Sequence, residues 1–469
     1  MSFPCYPEHK ESGFERLGLV PIDWDLYSLK RSVEGCVNGI WGEEADGEND
    51  LAVIRVADFQ RSKLRIGTKK LTYRSITDKE KEARKLRVGD LLIEKSGGGD
   101  KTLVGCVVLF EHDFGAVSSN FVARMRPLPN FDSNFLCYAF DSLYKGRVNY
   151  PSIKQTTGIQ NLDSESYLQE RFCFPSLTEQ TQIAHFLDHE TAKIDTLIHE
   201  QKRLIELLKE KRQAVISHAV AKGLDPDVPM KDSGAEWLGE VPAHWGNVRL
   251  KHLVFEKVAG PYGSSLTKSM YVSSGYKVYG QQQVISDDFA LGDYYISEEK
   301  FKELKRHEIH ADDVLVSVMG TVGRVSVVPE EHEPGIINPR LVRYRFDQRR
   351  VLPQFVKAVL MSCLYQAKLS EASQGTTMEG LNMVILGEMP IVLPPVTAQQ
   401  KIAEAVDSEN SGFTKAINGS RDLVSLLQER RSALISAAVT GKIDVRNWQP
   451  PADESAFEEV ARGGQEATA

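Results

Sequence analysis

Residues Glu94–Thr102 read EKSGGGDKT, and a glycine run beside a Lys-Thr pair invites comparison with a phosphate-binding loop. Such a loop needs glycine directly before its Lys-Thr and a helix directly after. Here Asp100 stands in the glycine's place, and strand-like runs lie on both sides. The segment does not read as an ATP site. Its glycines suit a tight turn, or a backbone that approaches a ligand closely. Other catalytic arrangements fail in the same way. No Gly-x-Gly-x-x-Gly opens a helix, no Gly-x-Ser-x-Gly elbow occurs, and no His/Cys cluster has metal-ligand spacing. His307 and His310 are an isolated i, i+3 pair and read as surface residues. No set of carboxylates with Lys suggests a nuclease metal centre. The polar loops are more telling. Lys154-Gln155-Thr156-Thr157-Gly158-Ile159-Gln160-Asn161 lies near the end of one block, and Ser373-Gln374-Gly375-Thr376-Thr377 takes the matching place in another. Gly260–Ser265 and Tyr279–Gln283 add glycine-rich and amide-rich loops. Amide, hydroxyl and ammonium side chains read base edges in a major groove. The chemistry expected is recognition rather than bond-making.

The elements that must carry these loops follow from composition and repetition. The chain has 469 residues, 57 Lys+Arg against 65 Asp+Glu, and a formal charge of −8. That total opposes a nucleic-acid partner only if the charges are spread evenly. They are not. Arg61–Arg87 holds eleven Lys/Arg against three Asp/Glu, and Arg340–Lys357 holds six against one. Acidic residues collect in Glu43–Asp50 and from Asp453 to Glu466. Local basic sectors are what phosphate contacts require, although a solvated helix face such as Lys79–Arg87 would look the same. No run of 18 apolar residues and no secretory signal is visible. The six scattered cysteines form no CxxC pair and read as ordinary buried thiols, so a reducing, cytoplasmic setting is expected.

The chain contains itself twice. Lys10–Val33 aligns without a gap to Lys231–Val254, with 12 of 24 positions identical, among them Gly13/Gly234, Pro21/Pro242 and Trp24/Trp245. Phe174–Asp225 aligns to Leu393–Asp444, with 19 of 52 identical, among them Gln180/Gln399, Asp188/Asp407 and Arg212/Arg431. A period of about 220 residues fits a duplicated domain pair, not a solenoid.

Glu179–Ala221 lacks Pro and Gly and carries a heptad at Leu187, Ile194, Leu208 and Val215, flanked by Ile183, Leu197 and Leu204, with Ala184, Ile198, Ile205 and Ala219 beside these. The second copy repeats it as Val406, Phe413, Leu427 and Leu434, with Ile402 and Leu423. These are long amphipathic helices of roughly 65 Å with coiled-coil seams, expected to pack on each other. Gln201 and Ser420 interrupt one seam position, and Glu190 and Glu409 another; they either fix register or face solvent. Thr178 and Thr397 are N-cap candidates, and Gly223 and Gly441 mark the helix ends. Residues 34–173 and 255–392 read as mixed α/β, with strands at Leu51–Val56, Asp90–Ile93, Leu103–Phe110, Val314–Val318, Arg324–Val328 and Leu341–Phe346. Phe135–Tyr144 and Leu352–Ser370 read as helices.

SGFERLGLVPIDW and SGAEWLGEVPAHW, with PSLTEQTQIAHFLD and PPVTAQQKIAEAVD, resemble the specificity subunits of type I restriction-modification systems. So do KRQAVISHAVAKGLD, RRSALISAAVTGKID, DLLIEKSGGG, SNFVARMRP, GPYGSSL, GDYYISEEKF and MGTVGRVSVVP. The resemblance implies two similar mixed α/β target recognition domains, separated by two long helices packed as an antiparallel coiled coil with a pseudo-two-fold duplication. It divides the chain into a first recognition domain (10–175), a central spacer helix (176–225), a linker (226–236), a second recognition domain (237–394), a distal spacer helix (395–444) and an acidic tail (445–469). It further implies a non-catalytic subunit that reads an asymmetric bipartite site in double-stranded DNA. Two methyltransferase subunits and two restriction subunits would be its partners, and S-adenosylmethionine, ATP and Mg²⁺ would belong to them, with no cofactor in this chain. DNA contact is expected in the first domain from Ser96, Gly97, Gly98, Lys154, Gln155, Thr156, Thr157 and Gln160. In the second it is expected from Ser264, Ser265, Gln281, Gln282, Thr321, Arg324, Ser373, Gln374, Thr376 and Thr377. Three alternatives stay open: a coiled-coil scaffold that binds proteins without DNA specificity, an enzyme with a cryptic active site such as a nuclease half, and the recognition subunit of a methylation-only system.

Overall fold

The computed structural model describes residues 3–98, 102–156, 158–374 and 383–451. Contacts divide the chain into two compact units: residues 1–200 with those from 423 onward, and residues 201–422. Each unit holds one diverged block and a half of each long helix. No described helix is long and apolar enough to cross a membrane.

The repeated anchor folds identically in both units. His9–Glu11 pairs antiparallel with Leu19–Pro21, and Met230–Asp232 pairs with Glu240–Pro242. Residues 230–232 of the expected linker are thus the first strand of a hairpin. In each turn the serine hydroxyl accepts from the backbone N–H two residues on, Ser12 from Phe14 and Ser233 from Ala235. Gly13 and Gly234 both have φ +75°, a left-handed conformation that favours glycine. Trp24 and Trp245 follow and are buried. Against them sit the glycines that close the long helices. A Cβ at Gly441 would lie 2.3 Å from Pro21 Cδ, and one at Gly223 would lie 3.1 Å from Trp245 Cζ2. The shared residues of the repeat are therefore those that seat a helix end on a hairpin.

The diverged blocks share one topology despite their sequences. In the first unit the main sheet runs Val37–Asn38, Val122–Met125, Leu91–Glu94, Val107–Leu109, and continues through Arg65–Ile66 and Phe59–Gln60. In the second it runs Val254–Ala259, Leu341–Phe346, Val314–Ser317, Val325–Val327. Each unit adds a three-stranded sheet whose middle strand has one parallel and one antiparallel neighbour. Asp50–Ile54 lies between Ala116–Ser118 and Thr72–Ser75, and Tyr276–Tyr279 lies between Gly335–Ile337 and Tyr295–Ile296. Alternation along the central strand builds two cores. Leu91 and Ile93 pack toward the helix Ser133–Lys145, while Leu92 joins Ala52, Ile54 and Val108 on the other face. Val314 and Val316 likewise join Phe355 and Val359, and Leu315 joins Tyr279 and Ile337. Burial on both faces explains why these strands are continuous apolar runs.

The long helices span Leu177–Lys222 and Val396–Val439. Both start before the threonines expected as caps. Ser176 precedes the first helix, and its hydroxyl accepts from Glu179 N at 3.4 Å. The second begins after Pro394-Pro395, so Thr178 and Thr397 lie inside the helices. In the first unit the helices run antiparallel, as Arg431 meets Asp195 at 3.1 Å and Leu427 packs with Ile194 and Ile198. In the second, Ile216, Ala219 and Val220 share a core with Ile402 and Val406. The seam corrects one expectation. Leu197, Leu204 and Leu423 are exposed, whereas Thr191, Ile198 and Ile205 are buried. The second row of the seam is the one that holds Ile198 and Ile205, and it continues toward the helix start through the polar Thr191. Ser420 is buried within the seam, and Glu409 faces solvent.

The repeated glutamine is a clamp. Gln180 Nε2 donates to Pro175 O at 2.9 Å, and its Oε1 accepts from Asp132 N at 3.0 Å. Gln399 does the same to Pro394 O at 2.8 Å and from Leu352 N at 2.8 Å. Leu352–Ser370 is not one helix. It breaks into Pro353–Met361 and Cys363–Gln374 at the extended Ser362. Cys106, Cys137 and Cys173 are buried, but Cys5 and Cys363 are exposed.

Candidate nucleic-acid interface

Four loops meet at one corner of the first unit. They leave the strands Val37–Asn38, Asp50–Ile54, Leu91–Glu94 and Ala116–Ser118. The cleft between them, about 510 Å³, is lined by Trp41, Arg55, Glu94, Ser96, Gly97, Gly98, Asn120 and Phe121, among others. Close backbone approach builds it. A Cβ at Gly39 would sit 2.0 Å from Ser118 O, so only glycine lets the first loop lie on the fourth. The Arg74 guanidinium stacks 4.9 Å from the Trp41 ring centroid and fixes that wall.

One wall continues into a polar hairpin. Ser96-Gly97 pairs antiparallel with Asn161 and Gln160, and Ile159–Leu162 pairs with Ile153–Thr156. The glycine run and the polar loop, about 60 residues apart in sequence, are thus neighbouring strands. Ser96 Oγ donates to Asn161 Oδ1 at 2.6 Å. Lys154 and Gln155 are exposed, and Lys154 Nζ reaches Asp163 at 2.9 Å. Gln160 points inward, where its Oε1 accepts from Val104 N at 3.2 Å. Thr156 ends its strand opposite Ile159, and Thr157 lies outside the described residues.

The corresponding loops converge in the second unit. A Cβ at Gly260 would sit 1.9 Å from Asn338 O, repeating the contact at Gly39. Gln281 and Gln282 open the helix Gln281–Ser286. Gln281 Nε2 donates to Met319 O and to Thr321 O at 3.3 Å, and its Oε1 accepts from Arg340 at 3.4 Å. Thr321 and Arg324 are exposed, with Arg324 N donating to Ser317 Oγ at 3.0 Å. Ser264 and Ser265 lie on the turn Gly263–Ser265, beyond Tyr262. Ser373 and Gln374 do not match the first unit's hairpin. They end the helix Cys363–Gln374, and Thr376 and Thr377 lie outside the described residues.

The basic sectors are partly internal. Arg343 is buried between Asp313 and Glu256, and Arg345 contacts both. Arg61 pairs with buried Glu94 at 2.6 Å. Trp41, Phe121, Tyr262, Asn338 and Arg340 were not among the expected contact residues. A signal existed: Gly39-Ile40-Trp41-Gly42 and Gly260-Pro261-Tyr262-Gly263 match as Gly-x-aromatic-Gly, at the same offset as the repeated hairpins.

Residues 244–419 match the family model for the type I restriction modification DNA specificity domain. A putative type I restriction enzyme MjaX specificity subunit from Methanocaldococcus jannaschii is 24% identical over 453 residues, covering 93% of this chain and 98% of that protein. The EcoKI specificity subunit from Escherichia coli K12 is 24% identical over 348 residues, covering 70% of this chain and 69% of that one. Among solved structures, one chain from work on complex assembly and conformational transition of the type I R-M system aligns with a TM-score of 0.69 and 14% identity. It covers 90% of this chain and 98% of that one. The HsdS subunit from Thermoanaerobacter tengcongensis aligns at 0.53 with 16% identity, over 90% and 98% of the two chains. These structural likenesses concern the fold.

Proposed function

We propose that this chain is a specificity subunit of a type I restriction-modification system, as the matching domain model and the relatives along its length support, and that each unit reads one half of a split, asymmetric DNA site. The observation that carries this reading is the pair of matched corners. The same four loops meet in both units, but their side chains differ, as two readers of different half-sites require. The polar hairpin beside the first corner supplies Lys154 and Gln155 for phosphate and base edges. The long helices then set the number of base pairs between half-sites. Their exposed leucines, Leu197 and Leu426 in the first unit and Leu207 in the second, offer apolar surface for the modification and restriction subunits. On this reading the chain performs no bond-making step, and S-adenosylmethionine, ATP and Mg²⁺ are bound by those partners.

Methylation mapping in a host carrying the complete system tests this. A split motif with two different halves is the expected result, and a continuous or symmetric motif contradicts it. A protein-binding scaffold is told apart by salt. Phosphate contacts make DNA affinity of the assembled complex fall by orders of magnitude between about 50 and 200 mM salt.

A further inference from the structure

The matched corners differ most at the residue that ends the central strand. Glu94 pairs with Val122 in the first unit, and Ser317 pairs with Leu341 in the second, so the two occupy one structural position. Glu94 is 1% exposed, yet it lines the cleft. Its Oε2 accepts from Arg61 at 2.6 Å, and Arg61 also reaches the Tyr144 hydroxyl at 3.4 Å. Its Oε1 lies beside Gly97, where a Cβ would be 3.4 Å away, so no side chain at that residue stands between the oxygen and the cleft. Trp41 and Phe121 form apolar walls around it. Ser317, by contrast, spends its hydroxyl on Thr321 O and Arg324 N. Arg340 is exposed at that corner together with Thr321 and Arg324, and it lies beside the Gln281 amide. One corner presents an acceptor and the other a donor.

We propose that these corners set one base each through opposite hydrogen-bond polarity. The Glu94 cleft accepts from the exocyclic amino group of a cytosine or adenine, and Arg340 donates to the O6/N7 edge of a guanine. A carboxylate accepts from such amino groups, and a guanidinium matches the two guanine acceptors. A ring carrying the amino group packs on the aromatic walls. The inference rests on the DNA-reading function proposed above. It adds which residues discriminate and which bases they select.

The test is selection from a randomised DNA duplex pool by the full-length chain assembled with its own modification subunit, as wild type, Glu94→Gln and Arg340→Gln. Glu94→Gln keeps the shape and removes the charge. It is expected to reduce enrichment of the amino-bearing base about tenfold at one position of one half-site, with the other half-site unchanged. Arg340→Gln is expected to relax one guanine in the opposite half-site. Arg340 is exposed, so this arm does not depend on the buried cluster tolerating substitution. Unchanged letters in both variants, or a uniform loss across all sequences, overturns the inference while leaving the split-site reading intact. A wild-type complex that enriches no sequence overturns both.

Discussion

Glu94 and Gln160 are both polar, both buried and both beside the first cleft, yet they do different work. Gln160 spends its carbonyl on Val104 N and so ties the polar hairpin to the sheet. Glu94 keeps one oxygen toward the cleft. Burial raises the Glu94 carboxyl above the ordinary carboxylate range, and Arg61 offsets this only in part. A raised folded-state pKa contributes stability below the unfolded value, and that contribution is lost as pH rises through the folded value. Wild type is therefore expected to gain stability relative to Glu94→Gln as pH falls from neutral to about 4, near the ordinary glutamate value. Urea unfolding at the two pH values checks this, and an equal difference at both refutes it. Trp24 lies under a helix end and is almost fully buried. Trp24→Ala is expected to cost about 3–5 kcal/mol by opening a cavity there. Chemical denaturation of the full chain measures it, and a cost below about 1 kcal/mol would mean the site collapses without penalty.

At the scale of elements, the long helices are held to the recognition blocks by the repeated glutamine. Gln180→Leu leaves the Asp132 N–H and the Pro175 carbonyl without their side-chain partner, at an expected cost of about 1–3 kcal/mol. The same denaturation series reads it, with Gln399→Leu as the matched variant in the second unit. Helix length is a separate variable. Removing one heptad from each helix, residues 201–207 and 416–422, shortens each by about 10 Å. The expected outcome is a spacer shorter by about three base pairs with both half-sites intact. Methylation mapping of the shortened system decides, and altered half-site letters would detach the helices from the spacing role. The seam itself was only half legible. Leu187, Ile194, Ile198, Ile205 and Val406 announce it, but the buried Thr191 and Arg431 are polar, and a hydrophobic pattern passes over them.

For the whole molecule, duplication governs the expected behaviour. On the proposed function, replacing residues 34–173 with the corresponding block of a type I specificity subunit should change one half-site and leave the other. The repeated hairpin and helix anchors stay in place, and the main sheet of each block is built from strands of that block alone. A swap that alters both halves would show that the two readers are coupled.

The sequence by itself determined the duplication, the long helices, the central strands and the polar character of the loops. Those features are local or periodic, so residue types and spacing carry them directly. It also carried the family resemblance through the anchors, where one side chain, such as Trp24 or Gln180, serves a matching role in both copies. Only the tertiary structure decided which polar residues meet. Strand pairing joins Ser96-Gly97 to Gln160 and Asn161, turns Gln160 inward, and brings Trp41, Phe121 and Glu94 to one cleft. It also drew Arg343 and Arg345 out of a basic sector and into buried ion pairs. The reason is physical: a loop's contacts are set by which strand ends lie side by side, and sequence separation carries no record of that.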